Sequence, residues 1–365
     1  MVTPAMLPRL QAAWLAQFLG GPIPAESNAT CEACAMVADK AGGGASLEQG
    51  FNPETKCCTY LPQLWNFLVG GVLDDQYVEA RGRASVEARI DRGIAVTPLG
   101  LGRTLTFHVL YKTGTLTFGR SRELLCPHYL PEGGGRCGVW GHRESACSTW
   151  FCKFERGAIG FDFWSHLHQM LGTAERVLAG WALLELGLDG SALARLYAPR
   201  RDADSSTLTG RDVYAPTDPS EVRALWGAWH GRERELYREC ARLVAPLHWS
   251  DVRRIGGAEM SVYARLVEEA YARVMNRTPP ERPTTALVQI TPRGKTRVEL
   301  ATYHGRDALE VPAIVGTILP YFDGRPISVA IEEIREKEGV AIDPSLVRKL
   351  ADFGVLRDAQ PVGDA

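Results

Sequence analysis

Eight of the nine cysteines fall between residues 31 and 152, in two groups: Cys31, Cys34, Cys57 and Cys58, then Cys126, Cys137, Cys147 and Cys152. Nothing else constrains the chain as strongly. In a chain of 365 residues, thiols gathered in this way point to metal or iron–sulfur ligation before they point to disulfides. The odd total also argues against a fully paired disulfide framework. Cys31-x2-Cys34 is a chelating pair, since two intervening residues let both sulfurs turn toward one ion. Cys57 and Cys58 are adjacent, and neighbouring side chains in an extended segment point to opposite sides. They therefore serve different sites, or one is a ligand and the other is not. Eight thiolates suffice for two four-thiolate sites, whether two iron–sulfur clusters, two Zn²⁺ ions or one of each. The competing reading is a set of buried structural thiols, but the glycines and polar residues around them do not make a hydrophobic environment. Cys240 is different: it lies at an apolar helical position and reads as core packing.

The rest of the composition is that of an ordinary globular protein, with 45% hydrophobic and 23% charged residues. A net charge of −2 gives no global reason to expect nucleic acid or an anionic membrane as partner. No apolar run approaches the roughly 20 residues needed to cross a bilayer. The N-terminal stretch, interrupted by Gln11 and Gln17 and carrying only Arg9 as an early cation, reads as a short amphipathic helix rather than a secretion signal. A cytoplasmic, thiol-reducing location is the expectation. Asn28-Ala29-Thr30 fits a glycosylation sequon, a triplet common by chance.

Taken in order, the chain reads as α+β and mainly α. Residues 1–160 form an irregular Cys-rich metal-binding domain with an N-terminal helix, helical stretches near 61–73 and 84–92, and a β-hairpin over 104–118. The hairpin rests on the alternation in TLTFHVLYKTGTLTF about Lys112-Thr113-Gly114-Thr115. Residues 161–277 form a helical domain packing on it. Its helices are one capped by Asp162, one opened by Asp218-Pro219 and running through Cys240 and Leu243, and one over about 258–275. A Pro-rich segment, 278–283, reads as a linker. Residues 284–365 form a small winged-helix-like domain: two strands at 287–290 and 297–303, then helices near 309–320, 326–338 and 344–353.

The downstream cysteines also carry a resemblance. Cys126-x3-Leu130, followed by Cys137-x-Val139-Trp140-x2-Arg143-x3-Cys147, resembles the second half of the YkgJ-type cysteine-cluster family pattern. There a Cys with a hydrophobic residue four on precedes Cys-x-Ile-Tyr-x2-Arg-Pro-x2-Cys. The family's first half, CxxCxxCC, corresponds here to Cys31-x2-Cys34 and Cys57–Cys58, separated by a long insertion. Glu144 stands where the family has proline. The resemblance covers about 31–155 and implies zinc or iron chelation by these cysteines; flagellin lysine methylases similar to the family carry an iron–sulfur cluster. Arg143, matching the family arginine, would bond a cluster sulfide or thiolate, or fix a loop through a carboxylate. His128 and His142, inside the cysteine loop, are candidate ligands, second donors or proton carriers. His166 and His168, two apart on a helix, do not form a chelating pair.

No HExxH, Walker-type loop, GxGxxG, GxSxG or radical-SAM CxxxCxxC triplet is present. The C-terminal segment, with Ile318-Leu-Pro-Tyr-Phe-Asp-Gly324 and a hydrophobic pattern ending at Leu356, resembles PqqD-like peptide-recognition domains, which add a precursor peptide to a sheet edge. Its basic residues Arg325, Arg335, Lys337, Arg348 and Lys349 are interleaved with Glu332, Glu333, Glu336, Glu338 and Asp352. DNA binding needs a net basic face that this segment lacks, so peptide or protein docking, or packing on its own chain, is expected. The overall reading is an enzyme or enzyme component, a metal-dependent oxidoreductase or peptide-modifying enzyme, with one or two iron–sulfur clusters of the 4Fe–4S type. The alternative is a non-catalytic, Zn²⁺-stabilised adaptor that recruits protein or DNA.

Overall fold

Pro8, extended and lacking an N–H, opens the first helix of the computed structural model, which describes residues 7–26, 31, 34–37, 50–114, 117–197, 223 and 225–359. The chain divides into two units. The first comprises Met1–Ile23, Ala29–Trp150 and Leu167–Arg265; the second comprises Pro24–Asn28, Phe151–His166 and Leu266–Ala365. In chain order the helices are α1 (Arg9–Phe18), α2 (Asn66–Asp74), α3 (Ala80–Asp91), α4 (Leu105–Thr113), α5 (Ser145–Thr149) and α6 (Gly157–Glu185). They continue as α7 (Gly190–Tyr197), α8 (Glu233–Val244), α9 (Trp249–Met275), α10 (Ala313–Ile318), α11 (Ile327–Glu338) and α12 (Pro344–Asp352). The ten strands among the described residues are short, and the class is α+β, mainly α. Among the described residues no helix is long and apolar enough to cross a membrane.

The first unit is built around α2. Its sequence, NFLVGGVLD, is apolar on nearly every face, and such a helix must be buried all round. Phe67, Leu68, Val69 and Val72 are all within the core. Helix α8 lies against it so closely that a Cβ on Gly70 would sit 1.9 Å from the Tyr237 carbonyl oxygen, which leaves glycine as the only residue that fits. Asn66, also buried, ties the start of α2 to its surroundings by donating to Pro98 O (3.1 Å) and Ala179 O (3.0 Å). A small antiparallel sheet of order β1-β3-β2, formed by β1 (Leu64–Trp65), β2 (Val96–Thr97) and β3 (Gly100–Leu101), closes one end.

Three sequence expectations change here. The segment 104–118 is not a hairpin: residues 105–113 form α4, and 115–116 lie outside the described residues. Thr104 caps the helix by accepting from Phe107 N (3.1 Å), and Phe107 is fully buried with Leu61 and Leu124 while Leu110 and Tyr111 pack beside it. LTFHVLYKT satisfies both a two-residue alternation and a three-to-four-residue period, and the tertiary contacts select the latter. Asp162 lies inside α6 rather than at its start, because the helix already begins at Gly157. The Asp218-Pro219 cap lies outside the described residues, and the helix expected to run on to Leu243 is broken between Gly227 and Arg232 before α8 begins. Cys240 is fully buried in α8, as expected of a core residue. The expected 258–275 helix is the part of α9 that follows a kink at Gly257.

In the second unit, a three-stranded antiparallel sheet of order β7-β8-β9 (Ile290–Arg293, Arg297–Leu300 and Leu309–Pro312) precedes α10–α12. The third strand takes the residues expected to begin a helix at 309. The end of the expected linker is likewise structured: β6 (Pro283–Thr285) pairs with β10 (Leu356–Asp358). Asp343 caps α12, accepting from Ser345 N at 2.7 Å. Leu300, Val311, Ile318, Phe322, Ile334 and Leu350 are among the residues of its core. Arg156 is buried with Asp352, which it bonds through Nε and, at 2.9 Å, through Nη2.

Candidate metal centre

One backbone link and one side-chain clamp bring the cysteine groups of the first unit together. Cys126 N donates to Cys58 O at 2.7 Å, joining the second group to the first. Lys56, at a left-handed φ of 48°, is buried and donates through Nζ to Cys31 O, to Gly134 O and, at 3.2 Å, to Gly135 O. One ammonium thus clamps carbonyls from both parts of the chain. Downstream, β4 (Tyr129–Leu130) and β5 (Arg136–Cys137) pair antiparallel, with Tyr129 opposite Cys137. Helix α3 lies directly on this turn: a Cβ on Gly82 would fall 1.9 Å from Gly138 O. The sequence carried no sign of Lys56's part, because its partners are carbonyls remote in the chain.

None of the nine cysteines is in a disulfide. Seven of the eight expected ligands, Cys31, Cys34, Cys57, Cys58, Cys126, Cys137 and Cys147, belong to the first unit, where their charges act on one another. Burial pushes Cys31 up to about 12, the Cys57 charge adds to this, and Arg143, then Lys56, oppose it. Cys126 is likewise pushed up to about 12, by burial and then by Cys137. Burial also raises Cys34, Cys137 and Cys147, the last with help from Glu144 and Cys137. Cys57 is the exception. A hydrogen bond from Cys58 pulls it down to about 7, and Cys58 is raised by the same bond, so the adjacent pair shares one proton. Three of the sulfurs also receive backbone amides two residues on: Cys34 from Met36, Cys126 from His128 and Cys137 from Val139. Amides aimed at sulfur stabilise thiolate and help set the electronics of thiolate metal sites.

Arg143 is buried among these thiols. Burial lowers its proton affinity, while the charges of Cys137, Cys147, Cys31 and Cys57 restore it. Its side chain donates to Trp140 O (3.1 Å) and Cys147 O (3.0 Å) and lies over the Trp140 ring at 3.3 Å. Glu144 does what its place at a helix start requires: it caps α5, accepting from Ala146 N (2.9 Å) and Cys147 N (3.2 Å). Behind it lies a network that sequence reasoning missed. Glu175 accepts from Ser145 N (3.0 Å) and from Gln11 Nε2 (2.7 Å), and Gln11 accepts from Ser148 Oγ (2.6 Å). Burial, then the Glu144 charge, pushes Glu175 up to about 8. Buried Gln11 and Glu175 on otherwise apolar helices were the available signal.

The two histidines have separate settings. His128 is buried and 2.8 Å from Ser85 Oγ, whose proton goes to Gly82 O, so His128 Nδ1 is the donor. Nε2 then carries a lone pair, and it has no hydrogen-bond partner. Burial, with Arg89 adding, pushes this ring down to about 3, so it stays neutral. His142 pairs with Asp75 at 3.0 Å. Cys152, the eighth expected ligand, is half-buried in the 151–166 segment of the second unit.

Among the described residues, no three His, Cys, Asp or Glu side chains stand in an arrangement that would hold a metal ion. The donor set nevertheless has the chemistry of a thiolate site: free thiols, sulfur-directed amides and two buried cations acting on them. Set against family models, curated proteins and solved structures, the chain finds no match in any of the three.

Proposed function

We propose that this chain is a cysteine-ligated metalloprotein that carries an iron–sulfur cluster and acts in redox or peptide-modification chemistry. The observation that carries the reading is the set of seven free, mutually interacting thiols, three of them receiving amides two residues on. Left without a cation, most of these thiols stay protonated because burial penalises their charge. A bound metal would reverse that balance, and Arg143 and Lys56 would offset part of the negative charge of the thiolates. Cys31, Cys34, Cys57, Cys58, Cys126, Cys137 and Cys147 are the proposed ligand pool, with Cys152 as the eighth. Arg143 and His128 are donors or acceptors beside it. A cluster held there would supply one-electron chemistry.

The C-terminal residues 284–365 are proposed as a winged-helix-like, PqqD-like module that docks a peptide or protein partner. Two features support this use. Strand β7 is a sheet edge whose four residues are all exposed, a place where an extended peptide can add a strand. Arg325, Arg335, Lys337 and Arg348 are each engaged in ion pairs within the unit, which leaves them poorly placed to displace counterions from DNA. The second reading, Zn²⁺ holding the Cys-rich part of a non-catalytic adaptor, is favoured by the same sulfur-directed amides, which serve a zinc thiolate equally well.

Anaerobic purification followed by metal and sulfide analysis separates the readings. A brown protein with broad visible absorption, iron and labile sulfide supports the first. A colourless protein with stoichiometric zinc supports the second, and a protein free of both metals overturns both.

A further inference from the structure

The first unit carries a pocket of about 300 Å³, open to solvent on one side, between α1, α2, α8 and the segment around His142. Its size is at the small end of the range for sites that take small molecules. Trp14, Phe67, Leu68 and Val244 supply apolar wall, and four polar side chains, Arg9, Gln11, His142 and Glu175, also reach it. Two of these four are already engaged. Gln11 donates to Glu175 and to Arg143 O (3.3 Å) and accepts from Ser148, while both oxygens of Glu175 accept bonds from Gln11 and Ser145.

His142 is differently placed. Its Nε2 lies 3.0 Å from Asp75 Oδ2. Burial works against the Asp75 charge, but the Tyr77 amide and His142 hold it a carboxylate, which can only accept. Nε2 therefore bears the proton. Burial, only partly opposed by Asp75, keeps the ring neutral, so Nδ1 is left with a lone pair. No hydrogen bond to Nδ1 occurs among the described residues. The ring owes its position to Gly71, where a Cβ would stand 2.5 Å from Nδ1 and 2.7 Å from Cε1.

We propose that this cavity binds a compact neutral molecule with an apolar body and a single hydroxyl, of which phenol is the type, the hydroxyl donating to His142 Nδ1. At His142 the geometry selects for a neutral donor. Arg9, exposed at the rim, repels a cation and draws an anion only through water-screened charge, whereas a carboxylate set against Nδ1 would meet a lone pair with the Asp75 carboxylate behind it. The apolar walls suit an aromatic or short aliphatic body and offer further polar groups few partners. The inference rests on none of the cysteines, so a protein shown to lack iron and zinc leaves it standing.

The test is titration of the purified full-length protein with phenol, toluene and benzoate, followed by calorimetry. Toluene matches phenol in shape without the donor. A hydrogen bond of ordinary strength makes phenol bind about fivefold tighter than toluene. His142→Phe should bring phenol to the toluene level, and Ala245→Phe, which adds a ring at the exposed rim of the pocket, should weaken binding of both. Benzoate should bind weakest. The proposal fails if phenol and toluene bind equally to the wild type, if benzoate binds tightest, if none of the three binds, or if Ala245→Phe leaves phenol binding intact. Should His142→Phe fail to fold, the wild-type phenol-to-toluene ratio and the Ala245→Phe variant decide the matter.

Discussion

Glu26 offers a quantitative test of the second unit. It is 1% exposed, and its carboxyl accepts from Glu155 N at 2.7 Å and from Trp164 Nε1 at 2.8 Å. Burial nevertheless outweighs these bonds and, with the charges of Glu155 and Asp307 adding, pushes the group up to about 7 from 4.5. A tenfold change in proton affinity is worth about 1.4 kcal/mol, so this displacement corresponds to about 3 kcal/mol. The sign follows from linkage. Between those two values the folded protein holds a proton that the unfolded chain has lost. The stabilising effect is therefore complete below about pH 4.5, declines as pH rises, and is gone above about pH 7. Glu26→Gln is neutral throughout and lacks this dependence. Urea unfolding of both proteins at pH 4.5 and pH 7.5 should show the wild type losing about 3 kcal/mol more than the variant across that interval. The comparison is a difference of differences, so any constant cost of placing a Gln amide beside Glu155 N cancels. Parallel pH profiles for the two proteins would refute the reasoning.

Replacing Cys137 or Cys147 by Ser should lower bound metal sharply, whereas Cys240→Ser, in the core of α8, should keep it; metal analysis of the three variants checks this, and loss from the Cys240 variant would overturn its assignment to the core. Arg156→Met takes two bonds from Asp352, which is 4% exposed, and leaves it paired with Arg348 alone; it should cost about 2 kcal/mol by denaturant unfolding, and unfolding at the wild-type denaturant concentration would refute this. Gly82→Ala drives a methyl to 1.9 Å from Gly138 O and should destabilise the protein by about 2 kcal/mol while reducing metal loading. A melting curve unchanged from the wild type would show that α3 does not lie on the cysteine turn.

Much of the helical framework was legible in order along the chain. Amphipathic runs such as 327–338 and 344–352 fit the helical period, and Gly339 and the Asp343 cap mark their ends. The errors came where two periods fitted. LTFHVLYKT reads as strand or helix, and burial of Phe107 against Leu61 and Leu124, partners distant in sequence, made it a helix. Short strands such as Leu309–Pro312 and Pro283–Thr285 were hidden for a related reason: a strand exists only through its partner, and neither segment announces one.

At the candidate metal centre, residue identities and spacing singled out the candidate side chains, since sulfur and imidazole are marked by type. Their surroundings belonged to the tertiary structure alone. That Lys56 clamps carbonyls near Cys31 and Gly134, that Cys57 and Cys58 share a proton, and that His142 faces a cavity with Asp75 behind it all depend on segments remote in the chain meeting in space. Proton affinity and hydrogen-bond capacity are set by neighbours and by exclusion of water, and a linear sequence specifies neither until it has folded.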